Sequence, residues 1–180
     1  FEVVEAVSAV WGSDRVGLRI SPLNSYNSMI DSDPVGLATF LAGRLNDFKL
    51  AYLHAMRGDF FGLQKGDVMT PVRAHYRGVL VANMGYSPAE AAAAVAAGKV
   101  DAVAFGTSFL ANPDLPARIR AGAALNAPDP KKFYTEISGT RETYGVDDLD
   151  GQLRNLTIAS MTDLFAQSAV PFIDMAANQE

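Results

Sequence analysis

Val79-Leu80-Val81-Ala82-Asn83-Met84-Gly85-Tyr86-Ser87-Pro88-Ala89-Glu90 compresses one strand, one turn and one helix start into a single stretch. The apolar run 79–83 reads as a strand. It does not alternate, which is the pattern of a parallel strand buried on both faces. Met84-Gly85-Tyr86 is the turn, and Ser87 to Glu90 is a capping box with proline in its first turn. The alanine-rich helix 89–97 follows and stops at Gly98.

The same unit recurs on either side. Downstream, Val100 to Phe105 is a fourth strand, Gly106 a turn, and Asn112-Pro113-Asp114 precedes a helix over 115–122. Upstream, Leu50 to Met56 is a strand, residues 57–70 read as a loop, and Pro71 to Arg77 is at most a short helix. Earlier still, Val16 to Ile20 is a strand read as buried, closed by Ser21-Pro22. Leu23 to Ser32 is turn-like, and Asp33-Pro34 caps a helix over Val35 to Asp47 with apolar residues at 37, 40, 41 and 45. The chain opens directly in an apolar helical pattern at Phe1, Val4, Val7, Val10 and Trp11, with no capping residue ahead of it. A start inside an element is expected of a fragment or trimmed chain. The order is a helix and then four βα units, which is too few to close an eight-unit barrel of about 250 residues. A small open α/β sheet and half of a (β/α)₈ barrel both fit this order.

Composition narrows the function classes. In 180 residues, 15 Lys and Arg stand against 20 Asp and Glu, a formal net charge of −5, and 49% of residues are hydrophobic. Without a basic cluster there is no electrostatic grip for nucleic acid or an anionic membrane. No apolar run approaches the roughly 20 residues of a membrane-spanning helix. Cysteine is absent and the only histidines are His54 and His75, so neither a thiol nucleophile nor a metal site is expected. With no signal peptide visible, a cytoplasmic location is expected.

In parallel α/β folds ligands gather at the carboxyl ends of strands. Two of those ends suit an anion. At Asn83 to Tyr86 a glycine turn runs into a helix whose free N–H groups and positive dipole end face the strand mouth. Gly106-Thr107 offers further backbone N–H groups at the next strand. The alternative is that these glycines only let the chain turn. Arg19 lies inside an apolar strand and needs an anionic partner, either an Asp or Glu of a neighbouring strand or a bound group.

Several segments together resemble the C-terminal half of the Old Yellow Enzyme family. They are Arg15 to Pro22, Leu50 to His54, Asp101 to Gly106, Phe109 to Pro116 and Phe133-Tyr134. The resemblance covers about residues 1–134 and implies an α/β fold, the second half of a (β/α)₈ TIM barrel. It implies an FMN-dependent ene-reductase in which NAD(P)H reduces the flavin, and the flavin then reduces an activated alkene, an enone or nitro compound. On that resemblance Arg19 lies near the flavin pyrimidine edge, where a cation favours the reduced anionic form. Asn83, Gly85, Gly106 and Thr107 hold the phosphate, Phe133 packs at the dimethylbenzene edge, and Tyr134 lines the substrate side. The loop 57–70 brings Phe60 and Phe61 to the active-site wall, or else they plug the space under a long loop.

Three departures from the family pattern bear on these roles. Thr107 stands where the family commonly has Arg, which removes one phosphate charge. Residues 135–180 do not follow the family. They form a tail with loosely helical spacing from Val146 to Leu164, and Asn155-Leu156-Thr157 is read there as a chance sequon. The family's first four strands, with its proton-donating Tyr and substrate-anchoring His/Asn or His/His pair, have no counterpart here, so no catalytic residue is assigned. His54 is expected to be packed or hydrogen-bonded at a strand end, and His75 exposed. The alternative function is an inactive half-barrel scaffold or self-associating module, and an open strand edge makes a second copy or a complementary half-barrel the expected partner.

Overall fold

The computed structural model describes residues 1–130. They fall into two compact units, Phe1–Ala104 and a second that begins at Phe105. The first unit runs α1 (Glu2–Trp11), β1 (Gly17–Ile20), α2 (Pro34–Leu45), β2 (Tyr52–Met56), α3 (Met69–His75), β3 (Leu80–Asn83), α4 (Pro88–Ala96) and β4 (Ala102–Ala104). In the second, the described elements are α5 (Thr107–Ala111) and α6 (Leu115–Ala121).

The four strands are parallel and lie in the order β1-β2-β3-β4. A parallel crossover is right-handed almost without exception, so adding every strand on the same side puts every helix on the same face. A doubly wound open sheet reverses its order and carries helices on both faces. The sequential order therefore selects the second of the two architectures allowed by the element pattern: four consecutive strands of a (β/α)₈ barrel, half of its circumference.

One sheet face is sealed. Leu53, Ala55, Leu80 and Ala82 are inaccessible to solvent, as are Ala38, Ala42 and Leu45 of α2, Val72 of α3 and Ala91 of α4. Along the other face Gly17, Arg19 and Tyr52 are exposed and His54, Val81 and Asn83 are half-exposed, while Met56 and Ala102 are buried. This corrects the expectation of strands buried on both sides, most clearly in β1, where exposed and partly buried residues alternate. In a closed barrel the second face is the interior, filled by side chains from all the strands, and four strands alone leave it open. Gly17 lets the exposed Tyr52 ring lie across β1: a Cβ there would sit 2.3 Å from the ring, which would have to swing aside.

Local signals place the helix starts well. Asp33 accepts the Gly36 N–H at 2.8 Å, and Ser87 Oγ accepts the Glu90 N–H at 3.1 Å. Such caps are each worth about 1 kcal/mol. Phe1 precedes α1 without a side-chain cap, as expected. The core stripe of α2 differs from the expected one: Leu37 and Phe40 are exposed, and the small Ala38 and Ala42 with Leu45 face inward. Phe40 instead meets Phe1 edge-on at 6.1 Å. The third helix begins at Met69, two residues ahead of the expected Pro71. In the second unit, α5 was not anticipated, because a five-residue helix is too short for periodicity to register. There Asn112 is fully buried and locked, its Nδ2 donating to Ser108 O at 2.9 Å while its Oδ1 accepts the Asn126 N–H at 2.8 Å.

Candidate functional site

The open sheet face gathers the polar residues. Register pairs Arg19 with His54 and His54 with Val81, so Arg19, His54 and Asn83, two residues beyond Val81, share that face. Arg19 Nη2 lies 3.8 Å from Met56 Sδ, a weak acceptor. The Asp or Glu partner considered for Arg19 is not found among the described residues, whose ion pairs involve Arg44, Arg57, Arg73 and Arg118. Burial, with the Arg19 charge beside it, pushes the His54 pKa below its usual value, and the neighbouring Asn83 amide pulls weakly the other way. That amide contact falls short of a well-formed bond: His54 Nε2 and Asn83 Oδ1 are both buried without a hydrogen-bond partner. Among the described residues, two buried polar atoms without a hydrogen-bond partner thus share this face with a cation that makes no ion pair.

His54 lies within β2 rather than at its end and joins the site. Its residue type alone gave no signal; the register with Arg19 did.

The turn after β3 is held from outside. Met84 and Gly85 both adopt positive φ, 89° and 69°, a conformation costly for methionine and free for glycine. Arg57 clasps it. Nε donates to Met84 O at 2.7 Å and Nη2 to Gly85 O at 2.9 Å. The same guanidinium pairs with both Glu90 oxygens and stacks over the Tyr86 ring, 3.6 Å from its centroid. Glu90, expected to complete the capping box, is thereby engaged by Arg57, which holds its carboxyl below the usual range.

The loop after β2 is equally ordered. The Asp59 carboxylate accepts from Ser25 N–H and Oγ at 2.9 Å each, from Leu63 N–H at 2.7 Å and from Gln64 N–H at 3.0 Å. Desolvation pushes the Asp59 pKa up, but these bonds outweigh it and hold the group far below the normal carboxylate range. Gln64 in turn spans to Leu23 O and Met29 O. Phe60 and Phe61 are 66% and 56% exposed, so they line a surface and do not plug a core. They meet edge-to-face at 5.5 Å, and Phe61 stacks on Tyr26 at 6.1 Å. Sequence reading missed Arg57, Asp59 and Tyr26. A shallow depression of about 340 Å³ beside Ile20, Met29 and Leu37 also borders Ser21 and Asp31 but none of Arg19, His54, Asn83 or Arg57.

The remaining expected residues are placed as follows. Gly106 and Thr107, in the second unit, are exposed at the start of α5. Phe133, Tyr134 and the tail 135–180 lie outside the described residues. His75 is exposed, with Nδ1 against Pro71 O at 2.8 Å. Among the described residues no cluster of metal-ligating side chains occurs, and no helix is long and apolar enough to cross a membrane.

A parallel barrel arc with a cation and polar atoms on its inner face, beside a glycine turn at a strand end, has the layout of (β/α)₈ enzymes, whose ligands sit at the carboxyl ends of the strands. The chain belongs to the NADH:flavin oxidoreductase / NADH oxidase family, whose model matches residues 1–126. It is 52% identical over 135 residues to a probable flavin mononucleotide-dependent alkene reductase of Leishmania infantum, covering 75% of this chain and 37% of that protein. It is similar to the old yellow enzyme from Trypanosoma cruzi, with TM-score 0.77 and 45% identity over 82% of this chain and 39% of that one. Morphinone reductase in complex with tetrahydroNAD matches with TM-score 0.70 and 38% identity, covering 82% of this chain and 40% of that one. The chain thus spans well under half of these relatives. A second model, of the SPFH domain-Band 7 family, matches residues 105–180 and overlaps the first over 105–126.

Proposed function

We propose that this chain supplies the FMN-phosphate half of an NAD(P)H-dependent ene-reductase that reduces activated C=C bonds of enones or nitro compounds. The observation that carries the reading is Arg19, a cation on the inner face that makes no ion pair among the described residues, set beside His54 Nε2 and Asn83 Oδ1, which have no hydrogen-bond partner there. A flavin ring edge, rich in carbonyl and N–H groups, answers those needs. FMN would supply the hydride chemistry, accepting from NAD(P)H and delivering to the alkene β-carbon.

The chain's own residues then have distinct tasks. Arg19 places a fixed positive charge where negative charge develops, on a strand whose geometry is already set, so little reorganisation is needed. His54, held neutral by burial, offers a hydrogen bond without a second like charge. Asn83 and Gly85 are assigned to the phosphate at the turn after β3, and the family resemblance alone assigns Gly106 and Thr107 to it. The exposed Phe60 and Phe61, on a loop fixed by Asp59, give the substrate a rigid aromatic wall. Phe133 and Tyr134 are assigned the dimethylbenzene and substrate sides by the family resemblance. By the family resemblance we assign residues 1–134 to the barrel half and 135–180 to a divergent tail.

The test is flavin retention. The 180-residue chain is mixed with FMN, desalted and scanned in the visible. A flavin band travelling with the protein supports the reading and calls for an NAD(P)H oxidation assay with an enone. Complete loss of flavin overturns it and leaves the half-barrel scaffold, pairing with a second copy or a complementary half.

A further inference from the structure

Arg57 has no assigned role, yet it makes more polar contacts than any other described arginine with the turn that would face a phosphate. Its guanidinium binds Met84 O and Gly85 O together. A trans peptide is planar, with its C=O and the following N–H pointing in opposite directions. Drawing the Met84 carbonyl toward Arg57 therefore turns the Gly85 N–H away from it, and drawing the Gly85 carbonyl does the same to the Tyr86 N–H. Neither N–H has a partner among the described residues. Both are left as a pair of outward donors, just ahead of the α4 N-terminus.

The backbone does not reach this shape unaided. Met84 at φ 89° is strained, and strain persists only where neighbours over-determine it. Arg57 provides that constraint from three sides: two carbonyls, the Glu90 carboxylate, and the Tyr86 ring beneath it. Its charge is matched by Glu90, so it is not itself a ligand for an anion.

We propose that Arg57 is a positioning residue that fixes the Met84-Gly85-Tyr86 backbone so that two N–H groups point at the phosphate of a bound flavin nucleotide. The inference rests on the FMN reading above. It assigns Arg57 to the phosphate, not to the flavin ring, and this separates it from a general structural role. Riboflavin shares the ring and lacks the phosphate, so only FMN senses the turn.

Dissociation constants for FMN and riboflavin are measured by flavin fluorescence quenching for the wild-type chain, Arg57→Met, Arg57→Lys and Glu90→Gln. For Arg57→Met the expected result is FMN binding weaker by about tenfold or more, the scale of one lost hydrogen bond to a charged group. Riboflavin binding stays within about twofold, so the preference for FMN collapses. Arg57→Lys, whose ammonium cannot grip both carbonyls as the planar fork does, falls between. Glu90→Gln keeps both carbonyl bonds and frees the Arg57 charge, so the preference is kept or raised and does not fall. An unchanged preference in a folded Arg57→Met chain overturns the proposal while the FMN reading stands. A wild-type chain that binds neither flavin, or both equally, removes the FMN reading first and this inference with it. Should Arg57→Met fail to fold, wild-type amide NMR decides: the Gly85 and Tyr86 amides must shift with FMN and not with riboflavin, and no shift overturns the proposal.

Discussion

The two faces of the four-stranded sheet carry the same backbone and opposite chemistry. On the covered face Leu53, Ala55, Leu80 and Ala82 are sealed from water by residues that make no polar demand. Across the strand plane, Arg19, His54 and Asn83 are set on the same pleat with polar atoms left unmatched. Alternation along a strand thus separates stability from function at single-residue spacing. Substitution on one face should act on folding, and on the other on ligand chemistry.

The sharpest way to break that contrast is Leu80→Ala. The side chain is fully buried in the central part of the sheet, so its removal costs the transfer of the lost carbons and leaves a cavity. A loss of about 2–5 kcal/mol is expected in chemical denaturation. A loss below about 1 kcal/mol would mean that this face repacks freely and is no rigid platform.

The next largest effect is local. Asp59→Ala removes the acceptor that joins the loop after β2 to Ser25, and with it the bonds from Leu63 and Gln64. Amide exchange at Phe61, Leu63 and Gln64 should accelerate strongly while the denaturation midpoint moves little, because the loop is peripheral to the sealed face. Asp59→Asn should recover only part of the protection, since a neutral amide is a poorer acceptor than a carboxylate. A midpoint that falls as far as in Leu80→Ala would erase the distinction between loop and core.

These two residues also mark what a one-dimensional reading reaches. Asp33-Pro34 and Ser87 to Glu90 announced their helices because a cap acts over three residues. The strand order was visible as four repeated units, though whether they closed toward a barrel needed the sheet topology. Arg19 stood out because a guanidinium in an apolar run is costly. Leu80 was part of an apolar run whose second face was wrongly taken as buried, since the covering of each face comes from elements distant in the chain. Asp59 and Arg57 carried no local mark. Their partners lie 34 and 27 positions away, and only the fold brings Ser25 and Met84 to them. Phe133 and Tyr134 were named only through family resemblance and lie outside the described residues.

The smallest effect on the open face is the most diagnostic of its electrostatics. Burial and the Arg19 charge lower the His54 pKa in the folded chain. The unfolded chain therefore takes up a proton near the ordinary histidine value of 6.5 while the folded chain does not. Stability is full above that pH, falls as pH drops below it, and levels off once pH passes under the lowered folded value. Arg19→Met removes the like charge and leaves burial in place, so the His54 midpoint followed by ring-proton NMR should rise part of the way toward its usual value. Global stability at pH 8 should change by no more than about 0.5 kcal/mol, as for an exposed substitution that loses only a weak sulfur contact. A His54 midpoint that does not move would show that Arg19 points away from it in solution, and the paired cation and imidazole would then be two separate groups on one strand pair.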